Sequence, residues 1–124
     1  MHVLLADNQA KNRTVLRRLM EQEPELSVVG EAVEAQDLLA QARVIHPDLV
    51  LLDWELPGLQ GTGLLLALHG LGCPMKVVAY SERMEARQEA LAAGADAFHS
   101  KDEPLEWLLI TLYAFAGLSP CFAG

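Results

Sequence analysis

The hydrophobic pattern alternates between short apolar runs and longer stretches in which apolar residues recur every three or four positions. Short runs without polar alternation are typical of strands buried on both faces, and the longer periodic stretches are typical of helices with one buried side. The pattern predicts five strands, at residues 3–6, 26–32, 49–52, 75–80 and 95–99. A helix is predicted after each strand, at residues 10–22, 34–45, 64–68, 82–93 and 102–116. Thr62 could cap the third of these helices and Ser81 the fourth.

This regular order predicts one α/β domain. Strands that alternate with helices over short connections form a parallel sheet, and right-handed crossovers leave few possible arrangements. We therefore expect a five-stranded parallel sheet with helices on both faces, of the flavodoxin-like kind. In such open sheets, ligands bind in the crevice at the carboxyl ends of the strands, where the winding reverses.

The third predicted strand is a continuous apolar run that ends in a charge. Residues 49–52 are Leu-Val-Leu-Leu, and Asp53 follows them directly. Pro47 and Pro57 mark the two boundaries of this segment. Because burial of an unpaired carboxylate is costly, Asp53 is expected to face a cleft with cations or hydrogen-bond donors. The alternative is that Asp53 is only a turn residue or a helix cap.

Polar residues also follow three of the other predicted strands. The first strand ends in Asp7 and Asn8, the fourth ends in Ser81, and the fifth ends near Lys101. Together with Asp53, these groups are expected to meet on one rim of the sheet. Oxygen ligands suit a hard divalent ion such as Mg²⁺, and a hydroxyl with a lysine suits the oxygens of a phosphoryl group. Taken singly, Asp7 could be a turn residue, Ser81 a helix cap and Lys101 a solvated side chain.

Length and charge narrow the possible functions. A chain of 124 residues with 52% apolar content suits one globular domain. The formal net charge of −8 disfavours direct binding to nucleic acid, which favours a basic surface. The two cysteines, Cys73 and Cys121, lack metal-ligand spacing and are expected to be free thiols in a reducing compartment. Because no segment resembles a signal peptide or a membrane span, we expect a cytoplasmic protein without membrane contact.

Four stretches near the predicted strand ends carry a family resemblance. They are residues 3–8, 47–58, 77–81 and 94–101, with the sequences VLLADN, PDLVLLDWELPG, VVAYS and GADAFHSK. In this order they resemble the receiver domains of bacterial response regulators, the chemotaxis-Y-like proteins. The last two stretches most resemble receivers that precede helix-turn-helix output domains. We expect a receiver domain at residues 1–117 and a carboxyl-terminal tail at residues 118–124.

The resemblance implies phosphoryl transfer in a two-component system. Asp53 would accept the phosphoryl group of a histidine kinase and become an aspartyl phosphate. Asp7, Asn8 and Asp53 would hold Mg²⁺ together with the backbone carbonyl of Glu55. The domain would catalyse this transfer on itself, so no turnover enzyme is expected.

Three further residues would stabilise or sense the modification, as the resemblance implies. Lys101 would neutralise the phosphoryl oxygens, and Ser81 would hydrogen-bond one of them and move towards it. Phe98 would be the switch aromatic that follows this movement. These roles agree with general chemistry, because phosphoryl transfer depends mainly on positioning and on charge neutralisation. The Ser81 step would be a local change that biases a two-state element.

One residue departs from the family pattern. The family usually has two adjacent acidic residues after the first strand, and the second position is Asn8 here. The site therefore has one negative charge fewer, although Glu55 or Glu82 could bring a carboxylate from nearby. The alternative function is a degenerate receiver, a protein–protein interaction module that works without phosphorylation.

The last predicted helix has apolar residues on two sides. The stripe assigned to the core comprises Leu105, Leu108, Leu109, Leu112 and Ala116. A second stripe, formed by Trp107, Ile110 and Ala114, lies on roughly the opposite side, where an exposed apolar face suggests a partner. We expect a homodimer, or docking of an output partner, through this helix and strand five. Alternatively, Phe122 in the tail could fold back over this stripe.

Overall fold

A computed structural model describes residues 1–117 of the chain. The strands are β1 (His2–Ala6), β2 (Ser27–Ala32), β3 (Leu49–Asp53), β4 (Lys76–Ser81) and β5 (Ala97–Ser100). The helices are α1 (Ala10–Glu21), α2 (Ala35–Ile45), α3 (Gly61–His69), α4 (Ala86–Ala93) and α5 (Leu105–Phe115). Within these described residues, no helix has both the length and the apolar character that a membrane span requires.

The five strands form one parallel sheet in the order β2-β1-β3-β4-β5. Buried apolar side chains form two clusters, one on each face of the sheet. One cluster includes side chains of α2, α3 and α4, and the other includes side chains of α1 and α5. The predicted α/β fold with helices on both faces is therefore confirmed.

Strand β3 lies at the centre of the sheet, as its apolar composition predicts. All five of its residues are buried, because β1 and β4 flank the strand and helices cover both faces. The winding of the sheet reverses between β1 and β3, which are adjacent although β2 separates them in sequence. The residues that follow these two strands therefore lie at the position where open α/β sheets bind ligands.

Two predicted helix starts are wrong. Thr62 lies inside α3, which begins at Gly61 with Gln60 as its N-cap residue. Ser81 is the last residue of β4 and not the cap of α4, which begins only at Ala86. Short-range sequence patterns favour serine and threonine as caps, but here strand pairing carries β4 one residue farther and leaves a turn before α4.

Helix α1 buries only part of its apolar side. Leu16 and Met20 are buried, whereas Val15 is 46% exposed. Arg13 and Arg17 both form ion pairs with Glu31 on β2 and are only partly exposed. Because these arginines reach across to β2, the polar side of α1 contacts the sheet edge as well as solvent.

Helix α5 confirms the prediction of two apolar sides. Leu108, Leu109 and Leu112 are buried. On the opposite side, Trp107 is 54% exposed and Ile110 is 47% exposed. Phe122 and the predicted tail at 118–124 lie outside the described residues.

Candidate functional site

Backbone pairing sets the positions of the candidate residues. The Trp54 N–H donates to the Tyr80 carbonyl at 2.9 Å, and the Lys101 N–H donates to the Ser81 carbonyl at 3.0 Å. These bonds extend the pairing one residue beyond β3 and β5. The carboxyl ends of the two strands are thereby aligned with β4, and Asp53, Ser81 and Lys101 are brought to one edge of the sheet.

The Asp53 carboxylate is enclosed and has a cation beside it. It is 3% exposed, and its Oδ1 lies 3.6 Å from Lys101 Nζ and accepts a hydrogen bond from the Glu55 N–H at 3.1 Å. Burial raises the pKa of Asp53 to about 6, and the charges of Asp7 and Glu55 act in the same direction. The Glu55 N–H and Lys101 oppose this rise. At neutral pH the group is therefore mainly a carboxylate, but one that favours any added positive charge.

The Asp7 carboxylate is fully buried and bonded on both oxygens. Its Oδ1 accepts from the Gln9 N–H at 2.8 Å, and its Oδ2 accepts from Asn12 Nδ2 at 3.0 Å and from the Tyr80 hydroxyl at 2.5 Å. Burial, together with the charge and hydrogen bond of Asp7, raises the pKa of Tyr80 well above its ordinary value. The tyrosine therefore remains a hydrogen-bond donor across the physiological range and holds Asp7 in one orientation.

Two carboxylates and one backbone carbonyl are available for a metal ion. Asp7 and Asp53 are both buried at this edge, and the backbone carbonyl of Glu55 is two residues beyond Asp53. Mg²⁺ commonly binds through one or two carboxylates plus water and phosphate oxygens, so this set fits Mg²⁺. Asn8 follows Asp7 directly and is exposed. Residues 1–117 contain no group of three or more carboxylate, imidazole or thiol side chains placed to hold a metal ion.

Glu55 uses its side chain elsewhere. The Ser81 hydroxyl, which is fully buried, donates to Glu55 Oε1 and accepts from the Arg83 N–H at 3.0 Å. The second carboxylate oxygen of Glu55 lies 3.6 Å from the Arg83 guanidinium. The Glu55 side chain was expected as a possible substitute for the missing carboxylate. In the structure it is hydrogen-bonded to Ser81 and lies beside Arg83.

Arg83 connects the site to α4 and to Trp54. Its guanidinium lies 3.0 Å from Glu89, and Glu89 accepts a hydrogen bond from Trp54 Nε1 at 3.1 Å. The hydrogen bonds from Arg83 and Trp54 lower the pKa of the Glu89 carboxyl.

The predicted switch aromatic lies on the α4 side of β5. Phe98 is half-buried and contacts the core cluster that includes α4. The Arg87 guanidinium of α4 lies over its ring, 5.0 Å from the centroid. The Lys101 ammonium similarly lies 4.9 Å from the centroid of the Tyr80 ring. Each of these cations gains from the electron-rich face of an aromatic ring.

Sequence reasoning identified the residues at the strand ends but missed Tyr80, Asn12 and Arg83. Tyr80 precedes Ser81 on β4, so alternation along the strand places it on the opposite face, towards α1. This alternation could have predicted the face on which Tyr80 lies, although not its bond to Asp7. Nothing in the sequence pattern pairs Arg83 with both Glu55 and Glu89.

Comparison with known proteins identifies the family. A model of the response regulator receiver domain matches residues 3–112 of the chain. The chain belongs to this family. It is therefore a receiver domain of two-component signal transduction. Receiver domains accept phosphoryl groups from histidine kinases and generally use Mg²⁺ to do so.

The chain is similar to part of two longer proteins with different names. The nitrate/nitrite response regulator protein NarL of Escherichia coli K12 is 34% identical over 116 residues, which cover 92% of this chain and 54% of NarL. The protein-glutamate methylesterase/protein-glutamine glutaminase of Symbiobacterium thermophilum is 40% identical over 105 residues, which cover 82% of this chain and 29% of that protein. The receiver thus spans about half of the first protein and less than a third of the second.

A solved receiver structure agrees with the fold. The signal receiver domain of the putative response regulator NarL from Mycobacterium tuberculosis has a TM-score of 0.82 and 27% identity, and the match covers 94% of this chain and 96% of that one.

Proposed function

We propose that Asp53 is the phosphoryl acceptor of this receiver and that it reacts with the phosphohistidine of a histidine kinase in the presence of Mg²⁺. The observation that carries the proposal is the enclosed Asp53 carboxylate with Lys101 Nζ at 3.6 Å and the buried Asp7 carboxylate at the same edge. Arrangements of this kind stabilise the charge that develops on transferring phosphoryl oxygens.

Each residue has a definite part in the proposed transfer. An Asp53 oxygen forms the new bond to phosphorus, while the bond between phosphorus and the kinase imidazole breaks and its electron pair returns to the imidazole. Lys101 pairs with the phosphoryl oxygens, and Ser81 donates a hydrogen bond to one of them. Asp7, Asp53 and the Glu55 carbonyl would hold Mg²⁺, and Asn8 could offer a neutral amide oxygen beside them. When bound, Mg²⁺ neutralises the negative charge of the phosphoryl group and the carboxylates.

A second candidate function is a degenerate receiver that binds a partner without phosphorylation. Two observations favour it. Asn8 leaves the site with one carboxylate fewer than the family pattern, and the Ser81 hydroxyl is already bonded to Glu55. Phosphoryl acceptance remains the better-supported function, because Asp53, Asp7 and Lys101 keep both the charges and the enclosure that it needs.

Chemical phosphorylation distinguishes the two functions. The full chain is incubated with acetyl phosphate and Mg²⁺, and its intact mass is measured beside Asp53→Asn and the matched control Asp102→Asn, which removes an exposed carboxylate. We expect one phosphoryl group on wild type and on Asp102→Asn and none on Asp53→Asn. If no form is modified with any small phosphoryl donor, the degenerate receiver is favoured.

We also propose an assembly surface on α5 and β5. Trp107 and Ile110 are about half-exposed apolar side chains on one side of α5, and such a face suits a second copy of this chain or an output partner. Sedimentation of wild type and Ile110→Glu, with and without beryllofluoride, a mimic of the phosphoryl group, tests the dimer. A wild type that stays monomeric in both conditions would contradict it.

We further propose that residues 1–117 form the receiver domain, that residues 118–124 are its tail, and that the domain acts in the cytoplasm.

A further inference from the structure

The Ser81 hydroxyl has a single proton, which already forms a hydrogen bond within the protein. It is donated to the carboxylate of Glu55, while the Ser81 oxygen accepts from the Arg83 N–H at 3.0 Å. Ser81 is fully buried, so solvent does not compete for the hydroxyl. The hydrogen bond is charge-assisted, which makes it stronger than a bond between neutral groups.

A phosphoryl oxygen on Asp53 would need the same proton. Phosphoryl oxygens are hydrogen-bond acceptors, as carboxylate oxygens are, and a hydroxyl donates to only one of them at full strength. We propose that Glu55 is a positioning residue that holds the switch hydroxyl in a resting orientation and thereby opposes phosphoryl binding. This inference rests on the proposed function of Asp53. It assigns Glu55 a role in setting how readily Ser81 changes partner.

The surroundings of Glu55 allow the exchange to be reversible. Its side chain is 42% exposed, and its second oxygen lies 3.6 Å from Arg83. A Glu55 carboxylate that loses Ser81 therefore still has a cation and water as partners. Breaking the Ser81–Glu55 bond therefore costs less free energy than it would in a closed site, where the freed carboxylate would remain buried and unpaired.

Arg83 extends the exchange to Trp54. The Arg83 guanidinium is shared between Glu55 and Glu89, and Glu89 also accepts from Trp54 Nε1 at 3.1 Å. These groups border an open cleft of about 410 Å³ that leaves room for side-chain movement. When Ser81 leaves Glu55, the pairing of Arg83 shifts towards Glu55, so the indole of Trp54 reports the exchange.

The test compares the affinity for beryllofluoride in Mg²⁺ by ¹⁹F NMR. The variants are Glu55→Ala and Glu34→Ala, each made in the wild-type and in the Ser81→Ala background. Glu34 is the matched control because it is an exposed glutamate that ends the β2–α2 connection at the same edge of the sheet and makes no side-chain capping bond. We expect Glu55→Ala to bind beryllofluoride about threefold to tenfold more tightly than Glu34→Ala, as expected for relief of one competing hydrogen bond. In the Ser81→Ala background the difference should disappear.

Two outcomes of this comparison would overturn the inference. Equal affinities of Glu55→Ala and Glu34→Ala would show that Glu55 does not oppose binding. An effect of the same size in the Ser81→Ala background would show that Glu55 acts only through its charge. If no form binds beryllofluoride, the phosphoryl-acceptor function itself fails, and the role of Glu55 in it fails with it.

A second measurement examines the resting orientation without any phosphoryl group. Scalar couplings in donor-free protein give the χ1 rotamer of Ser81 in wild type, Glu55→Ala and Glu34→Ala. We expect Glu55→Ala alone to redistribute this rotamer. If Ser81 keeps the wild-type rotamer in Glu55→Ala, Glu55 does not set the position of the hydroxyl, and the Arg83 N–H alone is enough to hold it. This result would overturn the inference even where beryllofluoride binds and Asp53 is phosphorylated.

Discussion

The two sides of the Asp53 site are built differently. On the β1 side, the fully buried Asp7 accepts hydrogen bonds from Gln9, Asn12 and Tyr80, which are all neutral donors. On the β4 side, the buried Ser81 bonds to Glu55, whose side chain is 42% exposed and also contacts Arg83. One side is a closed set of bonds, whereas the other is linked to surface charges that have alternative partners.

The two sides therefore differ in how much free energy is lost when their hydrogen bonds or ion pairs break. Hydrogen bonds to a buried charge contribute about 1.5–3 kcal/mol each, and their loss leaves an unsatisfied group in the interior. Exposed ion pairs contribute only about 0–1 kcal/mol, so they exchange readily. The bonds on the Asp7 side are therefore suited to fixing a carboxylate, as the proposed metal site requires. The bonds on the Ser81 side are suited to exchange, as the proposed switching requires.

The largest effect is expected from Tyr80→Phe, which opens the closed side. The substitution leaves buried Asp7 Oδ2 without its hydroxyl donor, so we expect the free energy of unfolding to fall by roughly 2 kcal/mol. Tyr113→Phe is the matched control, because its hydroxyl donates to Glu23, a half-buried carboxylate that water can still reach, whereas Asp7 is fully buried. Urea unfolding of both variants provides the comparison, and equal losses would contradict a special role for the closed side.

A comparable effect of opposite sign is expected from Asp53→Asn in metal-free buffer. The pKa of Asp53 is about 6 in the folded protein and about 3.9 in an unfolded chain, so the folded state binds more protons between these values. Stability therefore falls as pH rises through this window, and it stays reduced at pH 7.

Asp53→Asn removes this penalty. We expect it to stabilise the protein at pH 7 in EDTA by roughly 1–3 kcal/mol and to make little difference near pH 4. Added Mg²⁺ should stabilise wild type more than Asp53→Asn. A variant that is less stable than wild type in EDTA at pH 7 would show that the carboxylate is not under strain from burial.

A smaller effect is expected from Asn8→Asp, which restores the carboxylate of the family pattern. The new charge should tighten Mg²⁺ binding and speed phosphorylation. Without metal, the new carboxylate repels Asp7 and Asp53. Because position 8 is exposed, water screens this repulsion, so the free energy of unfolding should fall by only about 0.5–1 kcal/mol. Trp54 fluorescence during a Mg²⁺ titration measures the affinity. An unchanged titration midpoint would mean that charge at this position does not control metal binding.

The smallest effect on stability is expected from Arg83→Ala, on the exchangeable side. Its ion pairs with Glu55, Glu85 and Glu89 are all at the surface, so the midpoint of thermal unfolding should change less than in any variant above. The emission of Trp54 should nevertheless shift, because Glu89 loses its cation while it accepts from the indole. A large loss of stability would show that this side is as closed as the Asp7 side.

The fold and the strand-end residues were predictable because both follow from short-range pattern. Apolar runs define the strands, parallel strands place their carboxyl ends together, and Asp7, Asp53, Ser81 and Lys101 each follow or end a strand. The partners of these residues were not predictable in the same way. The Tyr80–Asp7 bond joins positions 73 residues apart, and it depends on the face of β4 from which the Tyr80 side chain projects.

The errors have a common physical origin. Thr62 and Ser81 were considered as possible caps on residue type alone, whereas strand pairing and the turns around them decide where α3 and α4 begin. The side chain of Glu55 was considered as a substitute for the missing carboxylate, and in the structure it contacts Ser81 and Arg83. The backbone carbonyl of Glu55 is a separate group and stays in the proposed metal site. Side-chain rotamers at a connection between elements depend on three-dimensional neighbours that spacing along the chain does not reveal.

The most direct test of the central claim locates the phosphoryl group. Wild-type protein is treated with acetyl phosphate and Mg²⁺ and then reduced with borohydride, which converts an aspartyl phosphate to homoserine. Tandem mass spectrometry of the peptides identifies the converted position. We predict homoserine at position 53 and unmodified Asp7, Asp48 and Asp96. Homoserine at any other aspartate, or a phosphoryl group on a residue that borohydride does not convert, would contradict the assignment of Asp53 as the acceptor.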